Sequence, residues 1–182
     1  MNIADFLMSL EATHLADKIR NSLLLFPLLE AFHVMGLTLV FGTAAIIDLR
    51  LLGIASSKRS FRRIASDTLK WTWAAFGLTG ATGLLMFITN ATVYYNNFFF
   101  RTKMVLLLLA GINMAIFELT AGRSIHRWDK EARAPAPARV AAVVSLLLWI
   151  SIIFMGRWIG FTSTRVTSKP DPNINIEDLF PK

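Results

Sequence analysis

The chain has 182 residues, is 54% hydrophobic and carries a formal net charge of +7, with a mean hydropathy of +0.52. That hydropathy excludes an ordinary soluble domain. The basic residues fall in short loops between apolar blocks, a mark of membrane topology and not of nucleic-acid binding, and the absence of cysteine excludes disulfides, thiolate zinc sites, iron–sulfur clusters and covalently attached haem.

Residues 1–22, MNIADFLMSLEATHLADKIRNS, lack the basic start of a cleaved signal peptide. From Ile3 to Ile19 apolar residues recur at helical spacing, which predicts an amphipathic helix on the outer membrane surface. A first span is expected from about Leu23 to Ile47, ending in DLRLLG and followed by the loop SSKRSFRR. A second runs from about Trp71 to Thr89, followed by the polar and aromatic loop NATVYYNNFFFRTK. A third runs from about Phe98 to Phe117, then AGRSIHRWDKEARAPAPAR, then a fourth from about Val140 to Phe161. Each is close to the ~20 residues that a bilayer core requires. The tail, 163–182, is too polar to span. The expected fold is all-α: an integral membrane four-helix bundle over 23–162 with an N-terminal amphipathic helix.

Orientation follows from lysine and arginine. Lys58, Arg59, Arg62 and Arg63 lie in the first loop, and Arg123, Arg127, Lys130, Arg133 and Arg139 in the third. The middle loop holds only Arg101 and Lys103, both at its end. Loops one and three should therefore be cytoplasmic, with the middle loop and both termini on the periplasmic side of a bacterial inner membrane.

Within the spans, polar residues define two layers. Glu30 and His33 share one face of the first span in its outer half. Asn90 ends span two, Lys103 begins span three and Arg157 closes span four on the same side, so these five residues can converge in an outer pocket. Asp48, Arg50 and Glu118 form an inner layer, in which Asp48 and Arg50 are expected to pair. His33 and Asp48 lie about 22 Å apart along a helix, so they belong to separate layers.

An ionisable residue as deep as His33 marks function by default. Histidine is the common axial ligand of b-type haem, which needs no cysteine, and Lys103 or Arg157 would be placed to neutralise propionates or another anion. The alternative is a neutral imidazole bonded to Glu30 or to a backbone carbonyl. The Glu-x-x-His of EAFH also matches half of a di-iron motif, which one chain does not complete. Met35, Met104 and Met155 can serve as a sixth iron ligand, as copper ligands or as packing filler. Gly77, Gly80 and Gly83 recur every third residue on span two. They permit close helix packing or a bed for a planar cofactor.

The strings FPLLEAFHVMGLTLVFG and DLRLLG, TGLLMF, FFFRTKMVLLLLAGINM and LLLWISIIFMGRWIGF together resemble a bacterial inner-membrane family, domain-of-unknown-function family 6644, from about Leu23 to Phe161. More distantly the pattern is similar to membrane protoporphyrinogen oxidases of the HemJ type and to copper-resistance D-type membrane domains. The first of these resemblances implies a haem-binding histidine at His33 and a matching lysine at Lys103. The chain lacks that group's further histidines, so only those two positions carry over.

The expectation is therefore a membrane b-type haem protein with a redox or small-ligand role. His33 would be the metal ligand, and Glu30, Lys103, Arg157, Gly80 and Gly83 would surround the cofactor. A copper-binding or transport protein, or a cofactor-free subunit of a larger complex, are the alternatives. The expected partners are the lipid bilayer and further copies in a homo-oligomer, not nucleic acid.

Overall fold

The structure, a computed structural model, describes residues 2–55, 59–131 and 133–167, with side chains to residue 162. It is all-α, with no strand among the described residues. Helices α1 (Ile3–Glu11) and α2 (His14–Asn21) precede α3 (Leu25–Leu51). Next come α4 (Phe61–Thr89), α5 (Ala91–Asn96), α6 (Phe98–Leu119), α7 (Ile125–Trp128) and α8 (Ala136–Thr167). Four helices, α3, α4, α6 and α8, are long and apolar enough to cross a membrane.

Local chemistry sets the boundaries. Ser60 caps α4 by accepting from Arg63 N at 3.2 Å. Asn97 caps α6, its side-chain oxygen accepting from Phe99 N at 2.9 Å and Phe100 N at 3.2 Å. Gly53, at φ 74°, stops α3 in the left-handed region that glycine tolerates. Thr13 caps α2 at Ala16 N, so the expected single amphipathic helix is broken in two at Ala12–Thr13. The helices are also longer than the apolar blocks, because caps and not hydropathy end them. α4 starts ten residues before Trp71, which takes Arg62 and Arg63 out of the loop and into its first turn. Part of the expected middle loop is the short helix α5. Residues 168–182, most of the expected polar tail, lie outside the described residues.

The spans pair as α3 on α4 and α6 on α8, and the pairs join through α3 and α8. α4 and α6 pack little on one another, meeting where Phe87 stacks on Phe100 at 5.4 Å between ring centroids. Gly36 marks the α3–α4 crossing: a Cβ there would collide with Thr79 Oγ1 and approach the Ala75 carbonyl to 3.3 Å. α1 and α2 pack on α3, α4 and α5 at the end opposite the basic loops. Glu11 fastens them by accepting from Thr92 N at 2.7 Å, next to the start of α5.

The apolar core lies at the basic end. Leu51, Phe61, Ala121, Trp128, Ala134, Ala138 and Ala142 form one buried cluster. Trp128 tilts against Phe61 at 5.2 Å between ring centroids and donates from Nε1 to the Ala121 carbonyl. Arg50 ties the loops to it. Fully buried, it donates from Nε to the Arg59 carbonyl at 2.9 Å and from Nη2 to the Asp129 and Glu131 carbonyls at 3.3 and 3.0 Å. The expected Asp48–Arg50 pair is therefore absent. Two residues apart on a helix, the side chains diverge, and Asp48 turns toward Ser145 on α8 with Oδ2 unpartnered.

Candidate functional site

His33 sits on α3 facing α4, half-buried. Its Nδ1 lies 3.0 Å from the Thr79 carbonyl oxygen and 3.2 Å from Thr82 Oγ1. A carbonyl only accepts, so Nδ1 must carry the proton. Thr82 spends its own hydroxyl proton on the Leu78 carbonyl at 2.7 Å, leaving its oxygen to accept as well. The neutral ring therefore presents Nε2 as a bare lone pair, and Nε2 has no hydrogen-bond partner among the described residues. A histidine held through Nδ1–H by a backbone carbonyl, with Nε2 free, has the tautomer and fixed orientation of a metal ligand.

The glycines of span two divide by role. Gly83 makes room for the imidazole: a Cβ there would come within 3.0 Å of His33 Cε1. Gly77 and Gly80 meet nothing within 4 Å and face open space. The strip is thus not a continuous helix–helix contact.

Lys103, half-buried on α6, lies flat against α8 at Gly156, where a Cβ would stand 3.6 Å from Nζ. No carboxylate pairs with it among the described residues. Glu30 is exposed and does not hydrogen-bond His33; the orienting group is Thr79. Glu30 acts instead on Tyr94 in α5, where burial, and then that carboxylate, hold the phenol above its ordinary range. Arg157 is exposed and stacks 5.2 Å from the Phe161 ring centre on its own helix. Asn90 caps α4 and donates to Thr89 Oγ1 at 3.3 Å.

Of the residues singled out in the sequence, the structure thus seats His33 against Gly83 and Lys103 against Gly156 of α8, with Glu30 and Arg157 exposed. Sequence reasoning missed Thr79 and Thr82. Thr82 left a signal, a hydroxyl inside the glycine strip of the next span, but Thr79 contributes only a backbone carbonyl.

Among the described residues, no three His, Cys, Asp or Glu side chains gather to hold a metal ion. The donor set is one imidazole, which fits an axial ligand of a cofactor that brings its own equatorial donors. Met35 and Met104, which a copper site would draw on, are 63% and 41% exposed.

The chain belongs to a family of unknown function, DUF6644, whose model matches residues 25–162. No curated protein and no solved structure matches it.

Proposed function

We propose that this member of the DUF6644 family is an integral membrane protein that binds b-type haem through His33, in a redox or small-ligand role. The observation that carries the reading is the pairing of His33 Nδ1 with the Thr79 carbonyl at 3.0 Å, which leaves Nε2 unpartnered. A histidine present for packing alone would have both nitrogens satisfied or would be replaced by leucine at no cost. The distant likeness of His33 and Lys103 to the HemJ-type oxidases adds to the same reading.

Each residue has a role of its own. Thr79 and Thr82 hold the imidazole in one tautomer and raise its basicity. Gly83 admits the ring against α4, and Gly80 leaves α4 flat beside it. Lys103 supplies an ammonium for a propionate, and Arg157 a second cation at the outer edge. Glu30 and Tyr94 set the polarity of the rim. His33, the chain's one intramembrane histidine, would hold the haem, which would supply one-electron or diatomic-ligand chemistry. The bilayer is the inner membrane of a bacterium, with the N-terminal helices in the periplasmic interface, and copies of the chain associate through glycine-bearing faces.

An absorbance spectrum of the purified protein, oxidised and dithionite-reduced, tests this. A Soret band that sharpens and shifts on reduction in the wild type, and is lost in a folded His33→Ala variant, is expected. A wild type without that band, or a variant retaining full haem content, overturns it. Stoichiometric copper without a Soret band would mean that the metal is bound directly.

A further inference from the structure

The basic end of the bundle carries a cavity of about 460 Å³ lined by Arg62, His126, Arg127, Asp129, Lys130 and Glu131. Its three permanent cations outnumber its two carboxylates. Asp129 Oδ1 is engaged by the Arg62 backbone N–H at 2.7 Å, and no ion pair joins the cavity's side chains among the described residues. Behind its wall stands Arg50, bound to the Asp129 and Glu131 carbonyls, residues that also line the cavity. That guanidinium is 0% exposed, and Nη1 is buried with no partner. A buried cation held by neutral carbonyls alone lacks a counter-charge. Topology explains an excess of arginine and lysine on this side. It does not explain a cavity, or a buried guanidinium with a free arm beneath it.

We propose that this cavity binds the phosphate of an anionic phospholipid from the leaflet on the side of the two basic loops. Phosphate chemistry follows from the donors, since Arg62, Arg127 and Lys130 outnumber the two carboxylates of the lining and no ion pair ties them up among the described residues. A lipid source follows from position. Leu119 and Val140, at the ends of the spans flanking the cavity segment, are 60% and 62% exposed. Acyl chains attached to a phosphate held at this end of the bundle would lie along those exposed apolar span ends. The site is independent of His33 and of any haem there.

The test uses the full chain purified into nanodiscs of phosphatidylcholine with a minor fraction of phosphatidylglycerol, then native mass spectrometry of retained lipid. Arg127 and Lys130 are exposed, so the double variant R127Q/K130Q should keep the fold. Phosphatidylglycerol should be retained over phosphatidylcholine, and the variant should lose that preference by roughly thirty-fold. Arg20→Gln, at the opposite end, should leave it unchanged. Equal retention of the two lipids, or an unaltered preference in the double variant, overturns the proposal. Displacement of the lipid by millimolar inorganic phosphate would reassign the site to a soluble anion and overturn the lipid assignment.

Discussion

Replacing Gly83 with alanine acts on the seat of His33 and little else. The new β-carbon would stand 3.0 Å from Cε1 and 3.3 Å from Nδ1. Carbon contacts settle near 3.5–4.0 Å, so the ring must retreat from α4 by roughly half an ångström. The bond from Nδ1 to the Thr79 oxygen starts at 3.0 Å. That retreat stretches it to about 3.5 Å, where little remains. The lost bond costs about 1 kcal/mol, and crowding adds about 1 kcal/mol more. The higher helix propensity of alanine returns about 1 kcal/mol. The net destabilisation is about 1 kcal/mol, a fall of about 2–4 °C in Tm for a chain of this size. Gly80→Ala is the control, because its β-carbon meets nothing within 4 Å and its Tm should hold or rise slightly. Thermal unfolding of both variants in the same detergent measures the difference. In haem-loaded protein, Gly83→Ala should also shift the reduced spectrum, since the Nδ1 bond tunes the ligand. If Gly83→Ala were as silent as Gly80→Ala in thermal unfolding, the placement of the imidazole against Gly83 would be refuted.

Two further predictions concern the ends of the bundle. Arg50→Met removes three bonds to the Arg59, Asp129 and Glu131 carbonyls and should cost about 3 kcal/mol, seen as rapid proteolysis in the basic loops. Arg50→Lys keeps the charge but not the fork and should recover little of that loss; full rescue by lysine would show that geometry does not matter there. At the other end, burial and Glu30 raise the Tyr94 phenol above its ordinary value. The folded chain then keeps a proton that the unfolded chain loses near pH ~10, so stability is intact below that pH and falls as pH rises through the folded value. Tyr94→Phe should flatten this alkaline fall in thermal unfolding. An unchanged slope would assign it to other groups.

The spans were legible because hydrocarbon leaves a chain few choices. Leu25–Leu51 and Phe98–Leu119 both carry apolar runs that nothing but a buried or membrane helix accommodates. Their ends were less legible, because Ser60, Asn97 and Gly53 set them by local bonding that hydropathy does not register. The depth of His33 was readable from spacing along one helix, whereas its partner was not. Thr79 contributes a backbone carbonyl, which every residue possesses and no sequence marks. The same limit explains Arg50. A nearby aspartate in sequence predicts an ion pair, yet three loop carbonyls claimed the guanidinium because the connecting loops fold over the end of α3.

The two halves of the bundle differ in packing, and this bears on where chemistry can lie. At the basic end Leu51, Phe61, Trp128, Ala138 and Ala142 close a core. Toward the other end, α6 has no buried residue along its 22 positions, and α4 meets it only sparsely, through the Phe87–Phe100 stack among the described residues. Lipid can satisfy the apolar faces, since acyl chains serve leucine as well as another helix does. Lipid cannot satisfy an imidazole Nε2 or a lysine ammonium without a counter-charge. A subunit with only a structural role would be more stable with leucine at both positions. The chain instead places His33 and Lys103 where its own helices leave them unpaired. Under the proposed function, a third body takes the lone pair and neutralises the ammonium. That body needs an apolar surface for the open face, a Lewis-acid centre for Nε2 and an acidic edge for Lys103. On that reading a haem with its propionates would combine the three, whereas a bare copper ion would supply only the second.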